Sequence, residues 1–98
     1  MMTREEVLAV LGQAMPILRE RYSVEHLDIF GSFARDEARP DSDVDVLVAF
    51  QGTPTFSGYM GLKEDLEIRL GRRVDLVTLS GLKPRIKGYI LSELLHVA

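Results

Sequence analysis

Residues 31–50 read GSFARDEARPDSDVDVLVAF, and this stretch decides the fold class of the 98-residue chain. A glycine–serine pair opens it, directly behind an apolar segment, residues 24–30, that is typical of a β-strand. FARDEA then predicts a short helix, ARPDS is rich in turn residues, and residues 43–50 are β-branched and apolar enough to predict a second strand. A strand, a tight turn, a helix and a further strand in this order indicate an α/β protein.

The segment before this stretch predicts one amphipathic helix. Residues 4–21 carry apolar side chains at helical spacing, and they follow Thr3, a predicted N-cap that pairs with Glu6 in a capping box. Pro16 lacks a backbone donor, so we expect a kink or a break just before it.

The segment after this stretch continues the alternation. GTPTFSG predicts a loop, residues 59–70 return to helical spacing, and Gly71 stands where a left-handed cap ends a helix. Residues 73–79 predict a third strand and residues 82–95 a last helix. The order αβαβαβα indicates one α/β domain, residues 1–98, with a small sheet flanked by helices.

Composition narrows the classes of protein and of site. The chain has no run near the roughly 18 apolar residues of a membrane span and no apolar signal sequence, so we expect a cytoplasmic protein without membrane association. Because it has no cysteine, a metal would be held by oxygen ligands or by His26 and His96. The net charge of −3 argues against stable binding of a nucleic-acid duplex.

Two aspartates lie at the start of the second predicted strand. Alternate side chains share a face of a strand, so Asp43 and Asp45 should point the same way with Cβ atoms about 6 to 7 Å apart. Two carboxylates buried together raise each other's pKa unless a cation lies between them. A divalent cation would relieve this repulsion, and oxygen ligands favour Mg²⁺, with Mn²⁺ as the alternative.

A third aspartate has a similar setting. Asp75 lies within the strand RVDLVTL, where a purely structural strand would have an apolar residue. If this strand neighbours the second one, Asp75 joins the acidic pair. The alternative is that each aspartate caps a strand end or pairs with Arg72 or Arg73 at the surface.

The glycine–serine pair is a candidate anion site. Gly31 ends a strand and Ser32 opens a helix, so free backbone N–H groups and the hydroxyl would face an anion, and glycine would let a phosphate approach closely. The GxxxxGK[ST] pattern of a P-loop is absent, and a lone Gly-Ser is more often a turn with an N-cap. The acidic pair that follows makes the phosphate interpretation stronger.

Arg35 lies one helical turn after this pair. Its guanidinium is predicted to bind phosphate oxygens, or alternatively to pair with Asp36 or Glu37 in solvent. Arg39 has the same two interpretations and a weaker claim.

Gly31-Ser32, ten intervening residues, Asp43-Val44-Asp45 and the later Asp75 together resemble the signature of the polymerase-beta-like nucleotidyltransferase superfamily. Within it, the short chain and the residue 31–50 stretch resemble the minimal nucleotidyltransferase (MNT) domain, the antitoxin of HEPN–MNT toxin–antitoxin pairs. The resemblance covers nearly the whole chain. Asp36 departs from it, because relatives often have glycine after the arginine.

The resemblance implies a small mixed β-sheet flanked by helices, ATP as substrate, and roles for the residues that match the motif. Gly31 and Ser32 would hold nucleotide phosphates. Asp43 and Asp45 would bind Mg²⁺, and Asp75 would complete the metal site and help to activate the acceptor hydroxyl. The implied acceptor is a tyrosine of a cognate HEPN ribonuclease toxin, which transfer of AMP would silence.

Two other functions stay open at this stage. The chain could neutralise a toxin by binding alone, although three retained aspartates argue against a decayed site. It could also modify a small molecule, although its length leaves no room for an acceptor-binding lobe. The last predicted helix, with Ile86, Ile90 and Leu94 on one side, could present Lys83, Arg85, Lys87 and Tyr89 to a protein partner or simply to solvent.

Overall fold

A computed structural model describes residues 2–97. In chain order the elements are α1 (Arg4–Tyr22), β1 (Val24–Phe30), α2 (Gly31–Ala34), β2 (Val44–Phe50), α3 (Phe56–Leu70), β3 (Val74–Thr78), a 3-10 turn (Leu79–Gly81), α4 (Pro84–Ser92) and β4 (Leu95–His96).

The four strands form one mixed sheet in the order β3-β2-β1-β4. β1 pairs antiparallel with both β2 and β4, while β2 and β3 are parallel. Parallel neighbours need a crossover connection, and α3 supplies it. The prediction of a small mixed sheet flanked by helices is confirmed. β3 does lie beside β2, which was the condition for Asp75 to join the acidic pair.

The first helix begins as predicted. Thr3 Oγ1 accepts a hydrogen bond from the Glu6 N–H at 3.1 Å, and Glu6 Oε1 accepts one from the Thr3 N–H at 3.1 Å, which completes the capping box. The expected break at Pro16 does not occur, since α1 runs without interruption to Tyr22. Pro16 lies on the exposed side of the helix, where water can hydrate the Gly12 carbonyl that it leaves without a partner.

The third helix begins three residues before the predicted residue 59. Thr55 is its N-cap, with its Oγ1 accepting a hydrogen bond from the Gly58 N–H at 3.0 Å, so the end of the predicted loop is helical. Gly71 ends the helix at φ +66, as predicted.

The main core lies between one face of the sheet and the two long helices. Alternate residues of β2 face this core together with the buried sides of α1 and α3. The members from these three elements are Val7, Leu11, Ala14, Met15, Leu18, Val44, Val46, Val48, Leu62, Leu66 and Leu70. The opposite face of the sheet carries a smaller cluster of Phe30, Leu47, Leu82 and Ile90.

The C-terminal segment differs most from the prediction. Instead of one helix over residues 82–95, α4 ends at Ser92 and the chain adds β4 to the free edge of β1, with Leu95 opposite Ile29. Ile90 is the buried residue of α4, and Ile86, which was expected on the same packed side, is 43% exposed. Two paired residues are too short a pattern to predict from periodicity.

In the described residues, no helix has the length and apolar character needed to cross a membrane.

Candidate functional site

The site forms where β1 ends beside the start of β2. Gly31 follows β1 with φ +71, and the antiparallel register sets Phe30 opposite Asp45. A Cβ atom added to Gly31 would lie 2.9 Å from Asp45 Cγ and closer still to its Oδ2. Both the positive φ and the close carboxylate therefore require glycine at this position.

Asp45 and Asp75 lie side by side. They are direct partners in the parallel register of β2 and β3, so both side chains leave the same face of the sheet. Burial, followed by the repulsion of the Asp75 and Asp43 carboxylates, raises the pKa of Asp45 to about 6. The sequence analysis expected carboxylates buried among valines, but only Asp45 is half-buried and Asp75 is exposed. The face of the sheet that carries Asp75 is open to solvent near the start of β3.

Asp43 immediately precedes β2 rather than beginning it. Its Oδ1 lies 3.1 Å from Arg73 Nε, so the surface ion pair considered from the sequence is present for this aspartate. The Arg73 side chain is 79% exposed, and an exposed ion pair of this kind contributes little free energy. Asp43 can therefore leave Arg73 at small cost.

The backbone N–H of Gly31 and the guanidinium of Arg35 form an anion site that already holds a carboxylate. Glu93 Oε1 accepts a hydrogen bond from the Gly31 N–H at 3.1 Å, and Arg35 Nη1 donates to Glu93 Oε2 at 3.1 Å. Ser32 is half-buried beside Gly31 in α2. Sequence reasoning missed Glu93, because it enters through the β1–β4 pairing that no local pattern indicates.

The helix after Gly31 is shorter than the predicted FARDEA helix. It ends at Ala34, and Asp36 adopts φ +60. That left-handed conformation favours glycine and is tolerated by aspartate, so the backbone accommodates Asp36 at the position where the chain departs from the family pattern that it resembles. Arg35 also pairs with Glu37, its Nε lying 3.4 Å from Oε2. Arg39 lies in the following turn, where its N–H donates to Ser42 Oγ at 2.9 Å.

The acidic residues suit a hard cation by their chemistry. Mg²⁺ is commonly held by one or two carboxylates together with substrate phosphates and water. Asp45 and Asp75 supply two adjacent carboxylates, and the pKa of Asp45 is raised first by burial and then by the repulsion of Asp75 and Asp43, which a cation would relieve. Within residues 2–97, no group of three or more His, Cys, Asp or Glu side chains is arranged to hold a metal ion, and Asp43 is paired with Arg73.

Comparison with known proteins decides the family. The family described as "Nucleotidyltransferase domain" matches residues 11–97. This chain belongs to that family. A nucleotidyltransferase of Thermococcus cleftensis, named protein adenylyltransferase MntA, is 44% identical over 97 residues, which are 99% of this chain and 98% of the relative.

Solved structures agree on the nucleotidyltransferase fold. One, provisionally described as a minimal nucleotidyltransferase, is 41% identical and superposes with a TM-score of 0.81 over 96% of this chain and 95% of its own. Another, a tri-AMPylated Shewanella oneidensis HEPN toxin in complex with MNT antitoxin, matches with a TM-score of 0.67 at 18% identity, covering 93% of this chain and 71% of that one. The second likeness concerns the fold alone.

Proposed function

We propose that this nucleotidyltransferase is an antitoxin that transfers AMP from ATP to a tyrosine hydroxyl of a cognate HEPN ribonuclease toxin and so neutralises it. The observation that carries the proposal is the placement of Asp45 and Asp75 in register, with Asp45 against Gly31 at the end of β1. Two adjacent carboxylates therefore lie beside the Gly31 N–H and the Arg35 guanidinium, which can donate hydrogen bonds to an anion. The adenylyltransferase name of the 44% identical relative supports AMP as the group transferred.

In this proposal the anion donors hold the nucleotide. The Gly31 N–H, the Ser32 hydroxyl and the Arg35 guanidinium bind phosphate oxygens of ATP, and the glycine lets the phosphates approach the backbone. The short distance from Gly31 to Asp45 then brings the α-phosphate close to the carboxylates.

The carboxylates hold the metal and handle the proton. Asp43, Asp45 and Asp75 would hold Mg²⁺ once Asp43 leaves its ion pair with Arg73. When bound, the ion supplies charge stabilisation for the attacking and leaving oxygens. The tyrosine oxygen attacks the α-phosphorus, the bond from that phosphorus to the oxygen leading to the β-phosphate breaks, and pyrophosphate leaves. Asp75, the more exposed of the adjacent pair, accepts the tyrosine proton.

Radiolabelled ATP tests the reaction directly. The cognate HEPN protein is incubated with this chain, Mg²⁺ and ATP labelled at either the α- or the γ-phosphate. Label in the HEPN protein from α-labelled ATP alone, mapped to a tyrosine peptide, is the expected result. Label from γ-labelled ATP would mean phosphate transfer. Absence of label with a stable inhibitory complex would instead favour an antitoxin that acts by binding alone.

A further inference from the structure

Glu93 occupies the anion site with a negatively charged group of the chain itself. Its Oε1 accepts hydrogen bonds from the Gly31 N–H at 3.1 Å and from Arg35 Nη1 at 3.4 Å, and its Oε2 accepts one from Arg35 Nη1 at 3.1 Å. The Glu93 side chain is only 16% exposed. A carboxylate therefore lies where the proposed function places a phosphate oxygen.

The pairing of β4 with β1 explains this position. Ile29 faces Leu95 in the antiparallel register; Gly31 comes two residues after Ile29, and Glu93 comes two residues before Leu95. The pairing is fixed further along by the Val97 N–H, which donates to the Leu27 carbonyl at 2.9 Å. The β1–β4 pairing therefore brings Glu93 close to Gly31.

Most side chains around Glu93 are only partly buried, including Leu95 and Val97, which pack against the main core. Ile90 is the buried residue of α4, Leu94 is half-buried, and β4 contributes two paired residues. Segments with little buried apolar area open at a small free-energy cost. Glu93 can therefore leave the site without unfolding the main core.

We infer that Glu93 is an internal competitor of the nucleotide, which must displace its carboxylate from Gly31 and Arg35 before a phosphate can bind. The Gly31 N–H has one proton to donate, and a carboxylate and a phosphate at one position repel each other. This inference rests on the proposed function, because it takes the anion site to be the nucleotide site. Glu93 then sets the affinity for ATP and not the rate of the chemical step.

Binding of ATP in the presence of Mg²⁺, measured by isothermal titration calorimetry without any acceptor, tests this inference. The chains compared are the wild type, Glu93→Gln, Glu93→Ala and the matched control Glu37→Gln. Glu37 also pairs with Arg35, but its recorded contact is with Nε of that side chain and not with Gly31. Loss of one charged competitor predicts a Kd for ATP about tenfold lower in both Glu93 variants, and within about twofold of wild type in Glu37→Gln.

The Kd for adenosine gives a second readout. It separates loss of a competitor from a general loosening of α4, because loosening would change the affinity for adenosine as well. Adenosine has no phosphate to compete with Glu93, so its Kd should be the same in wild type and Glu93→Gln. An ATP affinity in both Glu93 variants that is equal to or lower than that of wild type would overturn the inference and leave the nucleotide site in place. An equal gain in Glu37→Gln would also overturn it. Failure of every chain to bind ATP would overturn the proposed function and this inference with it.

Discussion

Without a bound cation, the Asp45 carboxylate lowers the stability of the folded chain, because burial and the neighbouring Asp75 and Asp43 disfavour its charged form. Its pKa is about 6 in the folded chain against an ordinary value of 3.8, so the folded state holds the proton to higher pH than the unfolded state does. The side chain therefore lowers the free energy of unfolding as pH rises from about 4 to about 6, and the full cost is present above that window.

Asp45→Asn removes this cost. After allowance for solvent at a half-buried group, the variant should be more stable than wild type by about 1 to 2 kcal/mol at pH 7 without metal, and equal to it near pH 4. Urea unfolding at the two pH values measures the difference. Asp41→Asn, an exposed aspartate in the preceding turn, is the control and should change little. An Asp45→Asn chain less stable than wild type at pH 7 would contradict the electrostatic account.

Gly31 is predicted to be the glycine that the site cannot replace. In Gly31→Ala the new methyl group meets the Asp45 carboxylate at a positive φ, so we expect a loss of about 1 to 3 kcal/mol in stability and loss of nucleotidyl transfer. Gly88→Ala is the matched control. Gly88 lies inside α4 with no atom near its missing Cβ, and alanine should raise stability by up to about 1 kcal/mol. Thermal unfolding of both variants separates the two cases.

The sequence predicted which carboxylates lie together better than it predicted their surroundings. Aspartates within apolar strands are unusual enough to stand out, and a strand period puts Asp43 and Asp45 on one side. Whether an aspartate is buried or ion-paired depends on what covers the sheet, which involves residues far away in sequence. The sequence left open whether Asp43 caps a strand end or pairs with an arginine, and the structure shows the pair with Arg73. No local sequence pattern indicated that the Glu93 carboxylate would reach Gly31.

Among the secondary-structure elements, α1 contains an internal proline, Pro16, that costs the helix one backbone hydrogen bond. Because α1 continues through Pro16 and that residue is exposed, Pro16→Ala restores a hydrogen bond to the Gly12 carbonyl without altering the core. We expect stability to increase by about 1 to 3 kcal/mol. Gln13→Ala, on the exposed surface one turn earlier, is the control and should change stability by less than about 0.5 kcal/mol. Urea unfolding that shows no gain for Pro16→Ala would mean that the helix bends at this position.

α3 covers the outer edge of β3 with two polar side chains. Glu67 Oε2 accepts a hydrogen bond from the Val74 N–H at 3.0 Å, and the Tyr59 hydroxyl donates to the Leu76 carbonyl. These contacts satisfy backbone groups that would otherwise offer an edge for pairing with another chain. The bond from Val74 also lowers the pKa of Glu67. Its contribution to stability is present above the ordinary pKa and is lost as pH falls through the lowered one.

Tyr59→Phe tests this cover. Loss of the hydroxyl leaves the Leu76 carbonyl without its partner, so we expect a decrease of about 1 kcal/mol in stability and a greater tendency to self-associate on heating. Tyr89→Phe is the control, because Tyr89 is 65% exposed on α4. Chemical unfolding and light scattering distinguish the two variants. Equal behaviour of both would show that the hydroxyl of Tyr59 does not protect the edge.

Periodicity predicted the long elements and failed at the short ones. α1 and α3 have several turns of apolar spacing and recognisable caps, so their existence followed from the sequence, although a threonine cap moved the start of α3 to Phe56. α2 has four residues and β4 has two, and both owe their conformation to pairing with β1 and to the packing around its end. Such elements are set by tertiary contacts.

At the scale of the whole molecule, the proposed function takes the acceptor hydroxyl from a partner protein. The chain's own side chains supply the anion donors and carboxylates, and α4 leaves a basic and partly apolar surface exposed, with Ile86 43% and Tyr89 65% exposed. Arg85 and Lys87 are exposed on the same helix, and Lys83 is exposed at its N-cap. In the proposed function, a protein acceptor brings its hydroxyl to Asp75, which is the exposed member of the carboxylate pair.

Intact-mass spectrometry of the cognate HEPN protein, after incubation with ATP and Mg²⁺, tests the central claim most directly. The chains compared are wild type, the double variant Asp43→Asn/Asp45→Asn, and Asp41→Asn as a folded control. Mass increases in whole AMP units with wild type and Asp41→Asn, and none with the double variant, are the predicted result. A HEPN protein of unchanged mass with wild type, or equal modification by the double variant, would contradict it.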